Sequence, residues 1–219
     1  MNKYISIFFC VQIIALNLFA MQPKVTPVDY VRPQIDTHKS RWFFFSSASR
    51  PFGMVSLSPD TWTEGSWNSG YLYNSKEIRC FSHVHCWQLA GVPVMPTTGE
   101  VKGHKGMDAY KSTYSHETEI VKPGYHKVEL DTYQIRVELT STSRVGMHRY
   151  TYPAGEKANV LFDVGALLAH GKTEKAAIHR ISSKEIGGYS VLAPTSRRKK
   201  PVTAVSYTHL RAHETCADL

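Results

Sequence analysis

Residues 122–153 constrain the fold most, because apolar and polar residues alternate there through three stretches separated by turn-forming residues. In the middle stretch, Ile135, Val137 and Leu139 fall on one face of an extended chain, and the polar residues between them fall on the other. A period of two residues is typical of an antiparallel strand with one buried face. These residues therefore predict a three-stranded antiparallel meander.

Strand patterns also dominate the rest of the chain. Residues 41–45 and 159–168 are apolar runs that predict buried strands, the second of them an interior strand that ends near Gly165. Helical periodicity is weak, and only residues 173–178 predict a short helical turn. The sequence thus predicts an all-β fold with few helices, an antiparallel two-sheet β-sandwich.

The two ends of the chain differ in composition from its body. Residues 1–20 combine Lys3 with an apolar run that is short for a membrane span. They predict a signal peptide and a periplasmic or secreted protein with no membrane span after cleavage, with a retained anchor as the alternative. Residues 205–215 resemble a translated sequencing adapter, so residues 196–219 are predicted to be a non-native, disordered tail on a shortened gene. Residues 21–195 remain as an incomplete amino-terminal β-sandwich domain that residues 21–36 enter in an extended form.

Charge and cysteine content argue against a nucleic-acid-binding protein and against a protein stabilised by disulfides. The net charge is +8, but much of it lies in residues 197–200 of the predicted tail, so no nucleic-acid partner is predicted. Only Cys80 and Cys86 lie in the predicted domain. On one continuous strand they would be about 20 Å apart at roughly 3.3 Å per residue, which is too far for a disulfide, so two free thiols are predicted.

Residues 51–99 concentrate histidine, aromatic and turn-forming side chains. A strand through residues 81–87 would place His83 and His85 on one face together with Phe81 and Trp87. Upstream, Trp67 lies in a loop rich in Gly, Ser and Asn, where an aromatic ring can contact a ligand. A buried structural role is the alternative for this ring. The stretch therefore predicts a polar and aromatic wall.

The histidine pair allows three interpretations. His83 and His85 could hydrogen-bond at a pocket or domain boundary, coordinate zinc, or lie in the core. A tetrahedral zinc site needs three or four ligands that converge on one point, whereas residues 80–86 distribute theirs over both faces of a strand. The sequence therefore favours the hydrogen-bonding and core roles, and it predicts no set of metal ligands in this chain.

Several short motifs connect the chain with a known family. In chain order they are PFGMV, SPDT, SGY, FSHVH, MPTTG, ELTSTSRVGMHRY and LFDVG. Together they resemble the amino-terminal domain of glycoside hydrolase family 92, and the resemblance covers residues 28–171. It implies a β-sandwich of the galactose-mutarotase-like supersandwich type, packed on a much larger α/α-barrel domain.

The resemblance also implies an activity. The family consists mainly of secreted or periplasmic exo-acting α-mannosidases, which implies mannose-containing glycans as substrates, a bound calcium ion and inversion at the anomeric carbon. Inversion needs a general acid and a general base about 6.5–9.5 Å apart. The resemblance assigns these groups and the calcium to a carboxy-terminal catalytic domain that is missing here. It therefore implies that this chain alone is inactive and contains no catalytic residue.

The carboxylates of the chain support the same conclusion. None of those in polar loops or on exposed faces has a paired partner in the sequence, so none is predicted to act as acid or base. They are Asp60, Glu64, Asp108, Glu117 and Glu119. The last two share one face of an alternating stretch and are expected to face solvent.

What the resemblance leaves to this chain is one wall of a sugar pocket. A mannose ring stacks its C–H groups on an aromatic face and exchanges hydrogen bonds with polar side chains. The substrate-binding candidates are Trp67, His83, His85, Asn68, Ser69 and Arg50.

Two departures from the family pattern leave alternatives open. The glycine-rich run usual before PFGMV is missing, and residues 86–92 replace a glycine-rich continuation after the histidine motif. The main alternative is a freestanding carbohydrate-binding module without hydrolytic activity. A periplasmic zinc-binding sandwich is the second alternative.

Overall fold

The computed structural model describes residues 25–38, 48–63, 70–85, 92–166, 172–195 and 198–211. The chain divides into two units, Met1–Val31 and Arg32–Leu219. In the described part of the first unit, Pro27–Tyr30 forms a 3₁₀ helix instead of the extended entry that the sequence predicts. Thr26 explains the start of this helix, because its backbone N–H and its hydroxyl both donate to the Asp29 carboxylate.

The described part of the second unit consists almost entirely of strands. In chain order they are β1 (Ala48–Ser49), β2 (Ser56–Asp60), β3 (Glu77–Ile78), β4 (Cys80–Ser82), β5 (Val94–Thr98), β6 (Ser112–Thr113), β7 (Ile120–Lys122), β8 (Tyr125–Leu130), β9 (Ile135–Ser141), β10 (Gly146–Thr151), β11 (Ala158–Phe162), β12 (Thr173–Arg180), β13 (Glu185–Leu192) and β14 (Val202–His209). A 3₁₀ turn, Gly103–Lys105, and the single-turn helix α1, Met107–Tyr110, separate β5 from β6.

These strands form four antiparallel sheets. The strand orders are β1-β2-β4-β5-β11, β10-β9-β8-β7, β12-β13-β14 and β3-β6. The main core lies between the five-stranded and the four-stranded sheets. Leu57, Phe81 and Met95 come from the first sheet and Val137 and Leu139 from the second, and each is at most 1% exposed. Two antiparallel sheets that share one apolar core form a β-sandwich, so the predicted fold class is confirmed.

The predicted meander is also confirmed. Strands β8, β9 and β10 pair in sequence order, with Val137 opposite Val128 on one side and Tyr150 on the other. Ile135, Val137 and Leu139 are completely buried, whereas the residues between them are exposed or half-buried. The two-residue period therefore identified both the strand and its buried face.

Two predictions of individual elements are wrong. Strand β11 lies at the end of its sheet and pairs only with β5 among the described strands, so it is not an interior strand. Residues 173–178 are not helical but belong to β12, which pairs with β13 through Ala177 and Tyr189. Pairing with an adjacent strand outweighs a weak local preference for helix.

The prediction that residues 196–219 are disordered is wrong for residues 202–209. These residues form β14, which pairs with β13 from Val202–Leu192 to Glu185–His209. Half-buried and exposed residues alternate along β14, but the apolar residues do not follow this period, because Val205 and Tyr207 lie on the exposed face. The non-native origin of the tail stays a prediction.

Other predictions concern residues outside the described ranges. They are the signal peptide, the strand at residues 41–45 and the Cys86 thiol. Cys80 is a free, buried cysteine, as the sequence predicts. Among the residues that the structure describes, no helix is long and apolar enough to cross a membrane.

Candidate functional site

The predicted histidine strand ends earlier than its sequence pattern suggests. Strand β4 stops at Ser82, and the two histidines that follow contact different parts of the molecule. His83 lies against His148 of β10, whereas His85 lies along β2 between Ser56 and Asp60. The prediction that both imidazoles share one strand face is therefore wrong, because the alternation of faces holds only while the chain stays in a strand.

A buried acid–base group lies at the end of β2. We call Asp60, Cys80, Ser82 and His85 the Asp60 cluster. Asp60 Oδ1 lies 2.8 Å from His85 Nε2, and the two side chains are 0% and 1% exposed. Ser82 Oγ lies 3.0 Å from the same nitrogen, and the Cys80 thiol donates to Asp60 Oδ2 at 3.3 Å. The sheet register positions this group, because Asp60 pairs with Cys80 across β2 and β4.

The contacts of His85 favour a charged imidazolium. Its Nδ1 lies 2.5 Å from the Ser56 carbonyl oxygen and its Nε2 faces the Asp60 carboxylate, so both nitrogens donate. Burial would lower the pKa of His85, but the charge and hydrogen bond of Asp60 and the Ser56 carbonyl raise it above its ordinary value. Burial, followed by the negative charge of Asp60, raises the pKa of Cys80 well above its usual range. The cluster is thus an ion pair beside a protonated thiol.

The Asp60 cluster connects two points of the chain, one shortly before residues 64–69 and one directly before residues 86–91. Trp62 and Gly70, on either side of residues 64–69 in the sequence, form an antiparallel bridge. The backbone N–H of Arg79 donates to the Asp60 carbonyl, and its guanidinium donates to the Thr63 hydroxyl. His85 immediately precedes residues 86–91. The ion pair therefore joins Asp60, four residues before residue 64, to His85, the residue before residues 86–91.

His83, His148 and Tyr150 form a series of hydrogen bonds that we call the His83 chain. His83 Nδ1 donates to the Val92 carbonyl at 3.2 Å, and its Nε2 lies 2.9 Å from His148 Nε2. The Tyr150 hydroxyl lies 2.7 Å from His148 Nδ1. Two neutral imidazoles satisfy this series, with Tyr150 donating to His148 and His148 donating to His83. Burial, followed by the neighbouring His83, lowers the pKa of His148 well below its ordinary value.

Gly146 allows close approach of β10 to His83. A Cβ atom at this position would lie 2.9 Å from His83 Cδ2 and 3.2 Å from Val55 Cγ1, so the imidazole would have to move. We expect Gly146→Ala to lower the free energy of unfolding by about 1–3 kcal/mol, measured by urea denaturation. At Gly165 the added atom meets nothing within 4 Å, so Gly165→Ala is the matched control. Equal stabilities of the two variants would contradict the close contact.

The two clusters predict opposite titration of two histidines. The pKa of His85 is raised and that of His148 is lowered. As the pH rises, His148 should therefore lose its proton at a lower pH than His85 does. Ring-carbon NMR shifts measured across a pH series give this order directly. Asp60→Asn should lower the midpoint of His85 and leave that of His148 unchanged. A higher midpoint for His148 than for His85 would contradict the assignment.

Glu119 belongs to a third polar group, and its predicted position facing solvent is wrong. The side chain is 2% exposed. Its Oε2 accepts from His116 Nδ1 at 2.6 Å, from the Tyr71 hydroxyl at 2.9 Å and from Gln34 Nε2 at 3.2 Å. Its Oε1 lies 2.9 Å from His126 Nε2, an ion-pair contact. We call these five residues the Glu119 cluster.

The surroundings of Glu119 keep its carboxylate ionised. Burial would raise its pKa, but the contacts with His126, followed by the hydrogen bonds from His116 and Tyr71, lower it below its ordinary value. His116 Nε2 also lies 2.7 Å from the Tyr73 carbonyl, and its ring stacks on that of Tyr73 at 4.0 Å. The Glu119 cluster therefore links the turn before β7 to β8 and to the residues around Tyr71.

The structure describes three of the predicted sugar-binding residues, Arg50, His83 and His85. Arg50 and His83 both lie near the start of β2. Arg50 is exposed in the loop before β2, and His83 is half-buried beside that strand. His85 is only 5% exposed. The remaining candidates, Trp67, Asn68 and Ser69, and the carboxylate Glu64 lie outside the described residues. In the described ranges, no group of three or more His, Cys, Asp or Glu side chains could hold a metal ion.

The sequence analysis missed three histidines of these clusters. Two of them had a signal in the strand period, because His126 shares the inward face of β8 with Val128, and His148 shares that of β10 with Tyr150. His116 had no such signal, since its contacts depend on a turn and on residues distant in the sequence.

Comparisons with known proteins identify relatives of this chain. Residues 30–217 match the family description "Glycosyl hydrolase family 92 N-terminal domain". The family GH92 alpha-mannosidase BT3965 of Bacteroides thetaiotaomicron, solved with mannoimidazole, is 32% identical with a TM-score of 0.66. This match covers 75% of the present chain and 23% of the mannosidase. The present chain thus spans about a quarter of the length of that relative.

Two more distant structures share the fold. The inverting mannosidase BT2199 of Bacteroides thetaiotaomicron VPI-5482 is 19% identical with a TM-score of 0.62, covering 89% of this chain and 30% of that one. The GH92 family glycosyl hydrolase ccman5 is 20% identical with a TM-score of 0.64, covering 82% and 25%. None of the curated protein sequences matches this chain.

Proposed function

Because the chain belongs to the glycosyl hydrolase family 92 N-terminal domain family, we propose that it is the amino-terminal β-sandwich of a secreted, calcium-dependent, inverting exo-α-mannosidase. In this proposal it supplies one wall of the mannose pocket and the surface on which a catalytic domain packs. The observation that carries the proposal is the family match together with 32% identity to an alpha-mannosidase solved with mannoimidazole. Since the chain spans 23% of that mannosidase, we assign bond cleavage to polypeptide beyond it.

We assign Arg50, Trp67 and His83 to the sugar. Both ring nitrogens of the half-buried His83 are engaged by the Val92 carbonyl and His148, so in this proposal it offers the sugar its ring carbons and no hydrogen bond. The exposed Arg50 guanidinium can donate to sugar hydroxyls, and an indole ring can stack on the C–H face of a pyranose. Asn68 and Ser69 adjoin Trp67 and complete the polar part of this wall. His85 is buried with both ring nitrogens engaged, so we assign it a positioning role, since it holds Asp60, which lies a few residues before Trp67 in the sequence.

The buried carboxylates of this chain are unsuited to hydrolysis. An inverting enzyme needs two carboxyl groups about 6.5–9.5 Å apart with a water molecule and the sugar between them. Asp60 and Glu119 are 0% and 2% exposed, and each is paired with histidine. We therefore assign the general acid and general base to the carboxy-terminal polypeptide. Calcium is assigned there too, because the described residues offer no cluster of ligands for it.

Hydrolysis by the native gene product tests this proposal. We expect the uncut gene to continue for several hundred codons and its product to release mannose from an α-mannoside, with NMR showing β-mannose as the first product. A chelator should abolish this activity and calcium should restore it. The 219-residue chain should release no mannose. Mannose release by this chain alone, or a retained anomeric configuration, would refute the proposal.

The length of the native gene, sugar binding and metal content separate the proposal from its two alternatives. A native stop codon near Leu192, combined with mannoside binding by this chain in calorimetry, would support the module. Zinc that co-purifies in stoichiometric amount and disappears in a Cys80→Ser variant would support the zinc-binding sandwich instead.

A further inference from the structure

A strained residue lies at one end of the His83 chain. Val92 has a φ angle of +44°, in the left-handed region that a β-branched side chain rarely adopts. The residue is 6% exposed, and its carbonyl accepts the hydrogen bond from His83 Nδ1. Backbone strain of this kind persists only where surrounding contacts hold it, and it is common in switch regions. His83 supplies one of these contacts.

The donors and acceptors of the His83 chain match only when both imidazoles are neutral. His83 Nδ1 donates to Val92, and His148 Nε2 donates to His83 Nε2. The Tyr150 hydroxyl donates to His148 Nδ1. An added proton turns an acceptor nitrogen into a donor, so that it faces either the N–H of the other imidazole or the hydroxyl hydrogen. At least one hydrogen bond of the series is therefore lost in acid.

The packing around the two rings determines which of them can move. His148 lies within β10 and pairs with Leu139 of β9, so its backbone is fixed on that side by the sheet. His83 follows Ser82, the last residue of β4, and it is half-buried. A Cβ atom at Gly146 would lie 2.9 Å from His83 Cδ2, so the imidazole has no space toward β10. A protonated His83 would therefore turn toward water.

Burial disfavours a positive charge on this pair. Burial, followed by the neighbouring His83, lowers the pKa of His148. The Tyr150 hydroxyl stays protonated, since burial and then Tyr152 raise its pKa well above its usual range. The acids of the Asp60 and Glu119 clusters, and Glu138 of β9, already have partners of their own, which are His85, His126 and Arg149.

We propose that His83 and His148 form an acid-sensitive latch on the backbone at Val92. At neutral pH their shared hydrogen bond holds His83 against the Val92 carbonyl. When the pair takes up a proton, His83 separates from His148 and releases this carbonyl, and the strained backbone relaxes. Val92 directly follows residues 86–91, so the latch couples acidity to the backbone at this point of the chain. It requires no sugar and is independent of the proposed function.

NMR of the ¹³C-labelled 219-residue chain tests the latch from about pH 7.5 to about pH 4.5. The ring carbons of His83 and His148 report proton uptake, and the carbonyl carbon of Val92 reports its hydrogen bond. We expect the Val92 carbonyl signal to move upfield with the same midpoint as the rings, at a pH below the ordinary histidine pKa. The parent chain alone gives this result, so the test does not depend on the folding of a variant.

Two variants locate the source of this transition. His148→Gln should abolish the movement of the Val92 signal, because an amide can donate to His83 Nε2 or accept from it. His179 is an exposed histidine of β12, so His179→Gln is the matched control and should retain the transition.

Four outcomes would overturn the latch. They are a constant Val92 signal while both rings titrate, a transition that persists in His148→Gln, its loss in His179→Gln, and unfolding of the whole chain at the same midpoint.

Discussion

Replacing Asp60 with alanine is expected to lower the free energy of unfolding by about 3–5 kcal/mol, the cost of removing one partner from a buried ion pair. His85 would remain buried against the Ser56 carbonyl without its carboxylate, and the Cys80 thiol would lose its acceptor. Urea denaturation followed by circular dichroism at pH 6 measures the loss.

Two further variants control for size and for charge. Asp60→Asn keeps the shape of the side chain, and its amide can donate to a neutral His85, so its loss should be clearly smaller than that of Asp60→Ala. Asp108 forms its ion pairs with Arg79 and Lys111 at 70% exposure, so Asp108→Ala should cost about 0–1 kcal/mol. Similar losses for Asp60→Ala and Asp108→Ala would refute the buried pair.

The pH dependence of the Asp60 variant has a defined sign. The pKa of His85 is higher in the folded protein than in the unfolded chain. Its ion pair therefore contributes fully below the ordinary histidine pKa, and the contribution is lost as the pH rises through the folded value. The stability difference between the parent and Asp60→Ala should accordingly shrink in alkaline solution. A difference that grows with pH would show that His85 is neutral in the folded protein.

Glu119→Gln is expected to cost at least about 2 kcal/mol at neutral pH, because several donors lose a charged acceptor in a buried site. The folded pKa of Glu119 is lowered, so its contribution is complete above the ordinary carboxylate pKa and is lost as the pH falls through the folded value. The parent and Glu119→Gln should therefore converge in acid. Denaturant unfolding at a series of pH values measures both effects.

Glu117→Gln is the matched control for this prediction. Glu117 lies two residues before Glu119 but is exposed, so its variant should stay within about 0.5 kcal/mol of the parent at every pH. A constant loss for Glu119→Gln down to strong acid would contradict an ionised Glu119 in the folded protein.

The contrast between these two glutamates shows what the sequence could and could not reveal. Burial within β9 follows from the residues of that strand alone, so a local pattern was sufficient to predict it. The environment of Glu119 depends on Gln34, Tyr71 and His126, and the first of these lies 85 positions away. No local period carries that information, because these partners meet only after the sheets have packed.

The candidate site shows the same difference between local patterns and distant contacts. From the motif FSHVH, His83 and His85 were predicted to bind the sugar, which stays a prediction, but the motif could not show that the strand ends at Ser82. Their separation depends on Asp60 in one sheet and on His148 in the other, each of which attracts one imidazole. The sequence thus singled out two histidines, and tertiary contacts decided where each of them lies.

The pairing of β5 with β11 has a consequence for the kinetics of folding. Thr98 lies opposite Ala158, so this pair closes a loop that contains the entire four-stranded sheet. Neighbouring strands of that sheet are joined by short turns, and local pairings form faster than distant ones. A chain truncated before Ala158 should therefore show a meander protected from amide exchange, while the edge of β5 that faces β11 still exchanges freely. The arrival of β11 is the step that completes the second layer.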